Sequence, residues 1–384
     1  MEFEFATAAR IIFGEGKVKA LRDIAPTFGR KAFVITGKDE QRASAVFQQL
    51  KDAQIEYRSF SNSGEPTVEA VRAAVEKAKR ERCDFVISIG GGSVIDTGKA
   101  VAAMMRNKGK LEDYLEVVGN GQKIANRTAP HVALPTTAGT GAEVTRNAVL
   151  KVPEKKVKVS MRSPFMLPTV ALVDPELTYS MPPEVTASTG LDALTQLLEA
   201  YTSKKANPLT DGICREGLKR AARSLRRAYE DGDNKEARQD MAVASLFGGL
   251  ALANAKLGAV HGFAGPLGGE IEAPHGVICA RLLAFVFVAN VKALEGRAKQ
   301  PYLLKRFDEI AEILTEQAGA KAQDAVSWIQ QLCEALAVPG LRKYGLQEDD
   351  IKRIADKAKQ ASSMKGNPIE LADDELAGIL RKGL

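Results

Sequence analysis

Residues 85–89 are apolar at all but one position, run directly into three consecutive glycines, and are followed by a helical pattern over residues 93–106. A strand with one face in water alternates apolar and polar residues, so a continuously apolar strand indicates a sheet that is buried on both faces. A helix after such a strand is the usual connection between two parallel strands. This segment therefore predicts a parallel sheet covered by helices.

The same alternation of strands and helices continues through the first half of the chain. Further strands are predicted over residues 31–36, 56–60, 131–134 and 169–173, and further helices over residues 43–53 and 67–80. Beyond Pro182 and Pro183 the pattern is helical throughout. Because 384 residues exceed the usual size of one hydrophobic core, we predict two domains. A doubly wound α/β domain would occupy residues 1–180, and an all-helical domain residues 181–384.

Composition and charge exclude several classes of protein. The net charge is +6, and the Lys and Arg residues are spread along the chain except at residues 151–158 and 219–227. The second stretch has the helical spacing of a solvated helix face rather than that of a nucleic-acid site. The apolar run 277–291 is short and contains Arg281, which favours a buried helix over a membrane span. The four cysteines form no CxxC pair, and the N-terminus lacks the pattern of a signal peptide, so we expect a reduced, cytoplasmic protein.

A glycine-rich loop follows the strand at residues 84–89. Gly90, Gly91 and Gly92 would let the backbone approach a ligand closely, and the next helix would offer free N–H groups to a pyrophosphate. Ser93 could cap that helix or donate to a phosphate oxygen, and Asp96 would line the same site. Three glycines exceed what a tight turn needs, so we interpret this loop as a phosphate-binding loop, although it lacks the GxGxxG spacing.

A second loop, at residues 134–145, also follows a strand. Its hydroxyl-bearing residues Thr136, Thr137 and Thr140 would lie at the carboxyl end of that strand, where open α/β sheets bind ligands. Lys158 ends a basic run and could reach a cofactor phosphate or ribose, although an ordinary solvated lysine is the more common explanation of such a residue. These residues predict the remainder of a nucleotide site.

The turn after the strand at residues 31–36 bears on the choice between NAD and NADP. Many NAD sites place a carboxylate there to accept from the ribose 2′-hydroxyl. Gly37 occupies the first position here, with Lys38 and Arg42 close by, which leaves room for a 2′-phosphate. This favours NADP, while Asp39 could still bend back and bind the hydroxyl of NAD.

Two of the three histidines, His261 and His275, stand in one Gly- and Pro-rich apolar segment. Asp192 and Gln196 are four residues apart and so project from one helix face. We expect His261 near the end of a long helix and His275 at the start of another. Asp192, His261 and His275 would bind a divalent metal and leave a position open for substrate, with Gln196 as a weak fourth ligand or a hydrogen-bond partner. Two ordinary core histidines are the alternative.

In this order the motifs resemble the iron-containing (group III) alcohol dehydrogenase family, and the resemblance covers nearly the whole chain. It rests on the glycine-rich start of the chain, both loops and the ligand segments, which are residues 10–16, 90–99, 136–145, 174–178, 190–195, 261–275 and 367–368. The resemblance implies NAD(P)-dependent interconversion of alcohols with aldehydes or ketones. It also implies Fe²⁺, or sometimes Zn²⁺, and a homodimer or larger homo-oligomer.

Two positions depart from the family pattern. Gln196 stands where the family usually has a third His ligand, and Gly265 stands where it usually has a His close to the nicotinamide. The first change leaves the identity of the metal open, because Gln is a poorer ligand than imidazole. Relatives such as the glycerol dehydrogenases bind metal with one Asp and two His. The second change removes a group that could relay a proton, and it enlarges the pocket.

We therefore predict a metal-dependent NAD(P)-linked oxidoreductase that acts on a small alcohol, aldehyde or ketone, with Asp192, His261 and His275 at its catalytic centre. One alternative is a metal-independent reductase similar to the maleylacetate reductases, in which both histidines would act on the substrate directly. Another is a nucleotide-binding protein without activity, for which the losses at Gln196 and Gly265 would be typical.

Overall fold

A computed structural model describes residues 2–155, 157–298 and 301–384. By their internal contacts the residues fall into two compact units, Ala6–Ser180 and Met181–Leu384, and the first few residues of the chain belong with the second unit. The first unit holds all the strands among the described residues, and the second is helical.

The first unit is built on a six-stranded sheet with a separate two-stranded hairpin. The strands are β1 Arg10–Phe13, β2 Lys31–Thr36, β3 Glu56–Ser61, β4 Phe85–Gly90, β5 His131–Pro135, β6 Asn147–Val152, β7 Val157–Arg162 and β8 Val170–Val173. The sheet has the order β1-β8-β5-β4-β2-β3, and every neighbouring pair in it is parallel. Strands β6 and β7 pair antiparallel. The predicted fold class is confirmed.

Both units also contain α-helices. Those of the first unit are α1 Leu21–Ile24, α2 Ser44–Asp52, α3 Val68–Arg80 and α4 Gly92–Arg106. Those of the second are α5 Pro183–Thr202, α6 Pro208–Glu230, α7 Lys235–Ala255, α8 Ala259–Glu270, α9 His275–Ala293, α10 Pro301–Thr315, α11 Ala322–Ala335, α12 Ile351–Gln360 and α13 Asp373–Gly383.

The sheet is buried on both faces, as its apolar strands predict. Along β2, Phe33 and Ile35 join the hydrophobic cluster formed with α3 and α4. Their neighbours Ala32 and Val34 join the opposite cluster, formed with α1 and α2. Since successive side chains of a strand point to opposite faces, a strand between two such clusters has apolar residues at successive positions.

The hairpin β6–β7 was not predicted from the sequence. Its strands alternate, with Ala148, Leu150 and Met161 buried while the residues between them are partly or fully exposed. Lys151 and Lys158, at partly exposed positions of the two strands, gave the segment the appearance of a basic run. A strand exposed on one face needs only every second residue to be apolar.

A sharp bend separates α7 from α8. Lys256, just beyond α7, has a φ of 62°, and the two helices are bent by 99° relative to each other. His261 therefore lies in the first turn of α8, and the expectation that it would stand near the end of a long helix was wrong. Helix α9 begins at His275, as predicted.

Helix α9 and its continuation form a long apolar segment. Residues His275–Arg297 are long and apolar enough to cross a membrane by length and composition alone, and 67% of the most apolar window is buried inside the protein. This extent of burial is what a core helix of the second unit shows.

Candidate active site

The strand order of the first unit places two loops at the position where such sheets bind ligands. Strand β2 lies between β3 and β4, and the chain then continues outward through β5 and β8. This is the flavodoxin-like order, in which the direction of winding reverses between the two strands that correspond to β2 and β4. Ligands bind outside the carboxyl ends of the strands at that reversal. The loops that begin at Gly37 and Gly91 follow those two strands.

The glycine-rich loop turns tightly from β4 into α4. Gly91 is the N-cap residue and provides no side-chain cap, so the helix N–H groups there are available to a ligand. Ser93 is already inside the first turn and is therefore not the cap. A Cβ on Gly90 would stand 2.6 Å from the side chain of Val94, and a Cβ on Gly92 would stand 2.7 Å from Thr140 Oγ1. Glycine is thus required at both positions for packing.

The second predicted loop packs against the first. Strands β4 and β5 are neighbours, and the Thr136 N–H donates to the Gly90 carbonyl at 3.0 Å. Thr137 Oγ1 would lie 3.4 Å from a Cβ on Gly91. Two loops that are some 40 residues apart in the sequence therefore form one surface of glycine backbone and threonine hydroxyls.

Two charged residues that were predicted to contact the cofactor have protein partners in this structure. Asp96 lies 2.7 Å from the buried Lys99 Nζ, and its other oxygen accepts from the Val149 N–H at 2.9 Å. Lys158 pairs with Glu65. Asp96 thus holds the hairpin against α4.

The turn after β2 leaves space beside Gly37. A Cβ there would meet nothing within 4 Å. The Asp39 carboxylate accepts from the Gln41 N–H at 3.0 Å as a helix cap, and Arg42 lies 3.8 Å from it. Asp39 is thus committed to its own turn, and the cationic side chain of Arg42 stands next to it.

In the second unit, three predicted ligands converge from three helices. Asp192 lies on α5, His261 on α8 and His275 on α9. Asp192 Oδ1 is 3.2 Å from His261 Nε2 and 3.7 Å from His275 Nε2. The side chains of Asp192 and His261 are almost fully buried, whereas His275 leaves 39% of its side chain exposed. Any small molecule that reaches this cluster would approach it at His275.

Gln196 lies one helical turn after Asp192 and is buried beside it. Its side-chain amide donates to Asp192 Oδ2 at 3.5 Å. Gly248 on α7 packs close to it, because a Cβ there would be 3.1 Å from Gln196 Oε1. Gln196 therefore borders the cluster through the second oxygen of the Asp192 carboxylate.

The sequence interpretation missed Glu199, which stands one turn further along α5. Its carboxylate accepts from the His261 Nδ1 at 2.6 Å, from the Val260 N–H at 2.6 Å and from the His261 N–H at 3.3 Å. A proton on Nδ1 that is shared with Glu199 leaves the Nε2 lone pair for a metal, an arrangement common among metal-binding histidines. Asn367 completes the junction by accepting from the Ala259 N–H at 3.1 Å.

The interpretation also missed Cys279, which lies one turn after His275 on α9. Its Sγ is 3.7 Å from His275 Nε2 and 3.8 Å from His261 Nε2. Together with Asp192 it forms a group whose ligand atoms all lie within 4.8 Å of one another. The i,i+4 spacing from His275 was the available sequence signal.

The electrostatics of this group differ from those of an ordinary core. Burial disfavours the charged form of Asp192, but His275 and His261 outweigh that effect and hold the pKa of its carboxyl below the usual range. Burial likewise opposes ionisation of Cys279, yet the two imidazoles lower the pKa of its thiol. At Cys83, by contrast, burial is the largest effect, and it raises the pKa of the thiol to about 11.

Gly265 is adjacent to Pro266, which stands inside α8. The ring of a proline clashes with the Cβ of the preceding residue when that residue is helical. A glycine in that position avoids the clash, so the absence of a side chain at this departure from the family pattern also has a local structural reason.

Comparison with known proteins identifies the chain. Residues 8–175 match the family model described as iron-containing alcohol dehydrogenase, and residues 186–384 match the model of the C-terminal region of the same family. The chain belongs to the iron-containing alcohol dehydrogenase family. The resemblance predicted from the sequence motifs is thereby confirmed.

Individual members of the family match over nearly their full lengths. The choline dehydrogenase of Bacillus subtilis (strain 168) is 34% identical over 99% of this chain and 94% of its own length. The crystal structure of a 1,3-propanediol oxidoreductase has a TM-score of 0.93 at 34% identity, with both chains covered completely. A sulfoacetaldehyde reductase from Bifidobacterium kashiwanohense, in complex with NAD+, has a TM-score of 0.88 at 30% identity, with 99% of this chain and 98% of the other covered.

This member of the iron-containing alcohol dehydrogenase family is therefore an oxidoreductase that interconverts an alcohol and its carbonyl compound with a nicotinamide cofactor. The predicted enzyme class is confirmed. The comparisons lend no support to the maleylacetate reductase-like alternative or to a nucleotide-binding protein without activity.

Proposed function

We propose that the enzyme is metal-dependent and that Asp192, His261 and His275 hold its divalent cation. The observation that carries this proposal is the convergence of these three side chains from three helices, with Asp192 Oδ1 within 3.7 Å of both imidazoles. Oxygen and nitrogen donors at such separations suit Fe²⁺ or Zn²⁺. When bound, the cation would polarise the oxygen of the alcohol or carbonyl substrate.

The protein's own residues prepare that chemistry. Asp192 would offer one carboxylate oxygen to the cation while its other oxygen accepts from Gln196, so Gln196 would position the ligand. Glu199 would fix the ring of His261 through Nδ1. His275, which is partly exposed, would stand on the side from which the substrate enters.

The cofactor would bind on the loops of the first unit. Its pyrophosphate would lie on the glycine-rich backbone of Gly90, Gly91 and Gly92 and at Ser93, where α4 begins. The hydroxyls of Thr136, Thr137 and Thr140 would line the remainder of the site. Asp96 and Lys158 would support these loops from their edges. Asp96 would do so through its contacts with Lys99 and Val149, and Lys158 through its ion pair with Glu65.

The test of the metal proposal is removal and return of the cation. Enzyme purified anaerobically without chelator should carry close to one equivalent of iron or zinc, measured by elemental analysis. Oxidation of the nicotinamide cofactor by short aldehydes should stop after chelation and resume when the metal is restored. Protein that is free of metal and still reduces aldehydes would refute metal dependence.

We further propose that the substrates are small alcohols and aldehydes and that NADP is preferred to NAD. The preference rests on the space beside Gly37, on the proximity of Lys38 and Arg42 in the sequence, and on the commitment of Asp39 to its own turn. A 2′-phosphate would gain from the cationic side chains there.

Replacing Gly37 with Asp should reverse the preference for NADP. The new carboxylate would accept from the 2′-hydroxyl of NAD and repel a 2′-phosphate, so the ratio of kcat/KM with NADPH to that with NADH should fall about tenfold or more, equivalent to about 1.4 kcal/mol. Gly37→Ala is the matched control, because it fills the same space without charge. Equal ratios in the Asp and Ala variants would show that this position does not read the 2′-group.

We also propose a cytoplasmic homodimer or larger homo-oligomer, as the family resemblance implies. Light scattering coupled to size-exclusion chromatography tests the assembly, and a monomer at working concentrations would overturn it. Fractionation of cells that produce the enzyme tests its location.

A further inference from the structure

We propose that the Cys279 thiolate is the fourth protein ligand of the cation, so that the donor set of this enzyme is one carboxylate, two imidazoles and one thiolate. The proposal rests on the metal site put forward above and adds a ligand to it. Cys279 and His275 are four residues apart on α9, which places both side chains on one helical face.

The separations between the donor atoms suit a four-coordinate metal. With metal–nitrogen and metal–oxygen distances of about 2.1 Å and a metal–sulfur distance of about 2.3 Å, tetrahedral ligands stand about 3.4 Å apart, or about 3.6 Å where one is sulfur. The two nitrogen–oxygen separations here are 3.2 and 3.7 Å. The two nitrogen–sulfur separations are 3.7 and 3.8 Å. These four separations lie within about 0.3 Å of the tetrahedral values, and all the ligand atoms lie within 4.8 Å of one another.

The surroundings of Cys279 distinguish it from the other cysteines. Its side chain is completely buried, and its sulfur faces two imidazole nitrogens. The Cys333 thiol, also in the helical unit, instead points to the carbonyl oxygen of Ala280 at 3.6 Å. A buried cysteine that serves only packing needs no such polar neighbours.

A thiolate in this position changes which metal the site prefers. Thiolates are soft ligands that favour Zn²⁺, whereas harder oxygen donors suit other divalent ions better. Cys279 should therefore raise the affinity for Zn²⁺ and Co²⁺ relative to a site with only oxygen and nitrogen donors. The substrate oxygen would approach the cation from the side of His275, whose side chain is partly exposed.

Spectroscopy of the full-length wild-type enzyme tests the ligand directly. X-ray absorption at the zinc edge should show one sulfur at about 2.3 Å together with nitrogen and oxygen neighbours. The enzyme reloaded with Co²⁺ should show a sulfur-to-cobalt charge-transfer band in the near ultraviolet. Neither measurement depends on turnover or on the folding of a variant.

Variants then assign the sulfur to this residue. Cys279→Ser should abolish the charge-transfer band and weaken Zn²⁺ binding, measured by competition with a chromophoric chelator, by about tenfold or more. Cys333→Ser, which makes the same exchange of sulfur for oxygen elsewhere in the helical unit, should keep both the band and the affinity. Circular dichroism of each variant confirms that it is folded.

The outcomes separate this inference from the proposed metal dependence. Bound metal with only nitrogen and oxygen neighbours would overturn the thiolate ligand and leave the metal proposal standing. A charge-transfer band that survives in Cys279→Ser would do the same. Wild-type protein that binds neither Zn²⁺ nor Co²⁺ would overturn both.

Discussion

Glu199 shows how one buried carboxylate can orient His261 through both the backbone and the ring of that histidine. It accepts from the N–H groups of Val260 and His261 at the start of α8, and from the imidazole of His261 itself. The N-terminus of a helix is a favourable place for a negative charge. Glu199 therefore fixes where α8 begins and which nitrogen of His261 faces Asp192.

Replacing Glu199 with Gln should weaken metal binding although Glu199 does not itself reach the cation. Gln keeps the size of the side chain but loses the charge that makes the imidazole a stronger base, and changes of this kind typically cost about 10- to 100-fold in metal affinity. Competitive Zn²⁺ titration measures the effect. Glu184→Gln, at an exposed position of the same helix α5, is the control. Equal affinities in the two variants would contradict the positioning role of Glu199.

At this scale the sequence revealed the candidate site residues of unusual types and missed those of ordinary types. His261 and His275 stood out because the chain has only three histidines. Glu199 and Cys279 did not, since a glutamate in a helix is usually solvated and a buried cysteine usually serves packing alone. Only the packing of α5, α8 and α9 places the four side chains together, and a helical pattern fixes a face without identifying its neighbour.

At the scale of the elements, α4 lies against β4 and β5 because one of its residues has no side chain. A Cβ on Gly98 would stand 1.9 Å from Ser88 Oγ and 2.7 Å from His131 Nε2. Ser88 and His131 are completely or almost completely buried and lie 2.5 Å apart. The helix can therefore approach this polar pair only at a glycine.

Replacing Gly98 with Ala should destabilise the protein by about 1–3 kcal/mol, the usual cost of overpacking a buried contact. Gly212→Ala is the matched control, because Gly212 also stands inside a helix and a Cβ there would meet nothing within 4 Å. That change should be stabilising by about 0.5–1 kcal/mol through helix propensity alone. Urea denaturation of both variants measures the difference. Equal changes in the free energy of unfolding of the two variants would show that α4 can move away from the sheet without loss of stability.

Strands and helices whose burial pattern is set by their own residues could be predicted from the sequence. Those whose burial pattern depends on pairing with another segment could not. The strand β2 was predicted with the bounds it has, because its apolar residues need no particular neighbour to be buried on both faces. The hairpin β6–β7 was missed since its burial pattern arises only after the two strands pair. The break at Lys256 was missed because a lysine with a φ of 62° carries no sequence signal of a turn.

At the scale of the whole molecule, the two family models divide the chain much as its contacts do. The proposed cofactor loops belong to the unit Ala6–Ser180 and the proposed metal ligands to the unit that contains Met181–Leu384. The proposed cofactor site and the proposed metal site are therefore each built within a separate unit. The parallel sheet supplies backbone at strand ends, and the helical unit supplies side chains from several helix faces.

The overall stability should depend on pH through His131. Burial, assisted by Lys99, lowers the pKa of this imidazole from 6.5 to about 3. Between these values the unfolded chain binds a proton that the folded protein does not. The contribution of His131 to stability is therefore complete above pH 6.5 and is lost as the pH falls towards 3.

Comparison with His131→Asn isolates this effect. Relative to that variant, the free energy of unfolding of the wild type should decrease by up to about 1.4 kcal/mol for each pH unit below 6.5. Glu143, whose pKa burial raises to about 7, contributes to both proteins and cancels in the comparison. Urea denaturation from pH 7 to pH 4.5 provides the measurement. If the free energies of unfolding of the two proteins differ by a constant amount across this pH range, a buried neutral imidazole at His131 is excluded.

The hydrogen bonds that hold the start of α8 have a further consequence for how the enzyme would exchange its metal. Because Glu199 and Asn367 join α8 to its neighbours through protein atoms alone, we expect the arrangement of the proposed ligands to persist when the cation is removed. Metal binding energy then appears as affinity rather than as folding energy, in contrast to a zinc finger. The folded enzyme would release and rebind its ion reversibly. Its activity would therefore depend on the concentration of available metal, while the amount of folded protein would not.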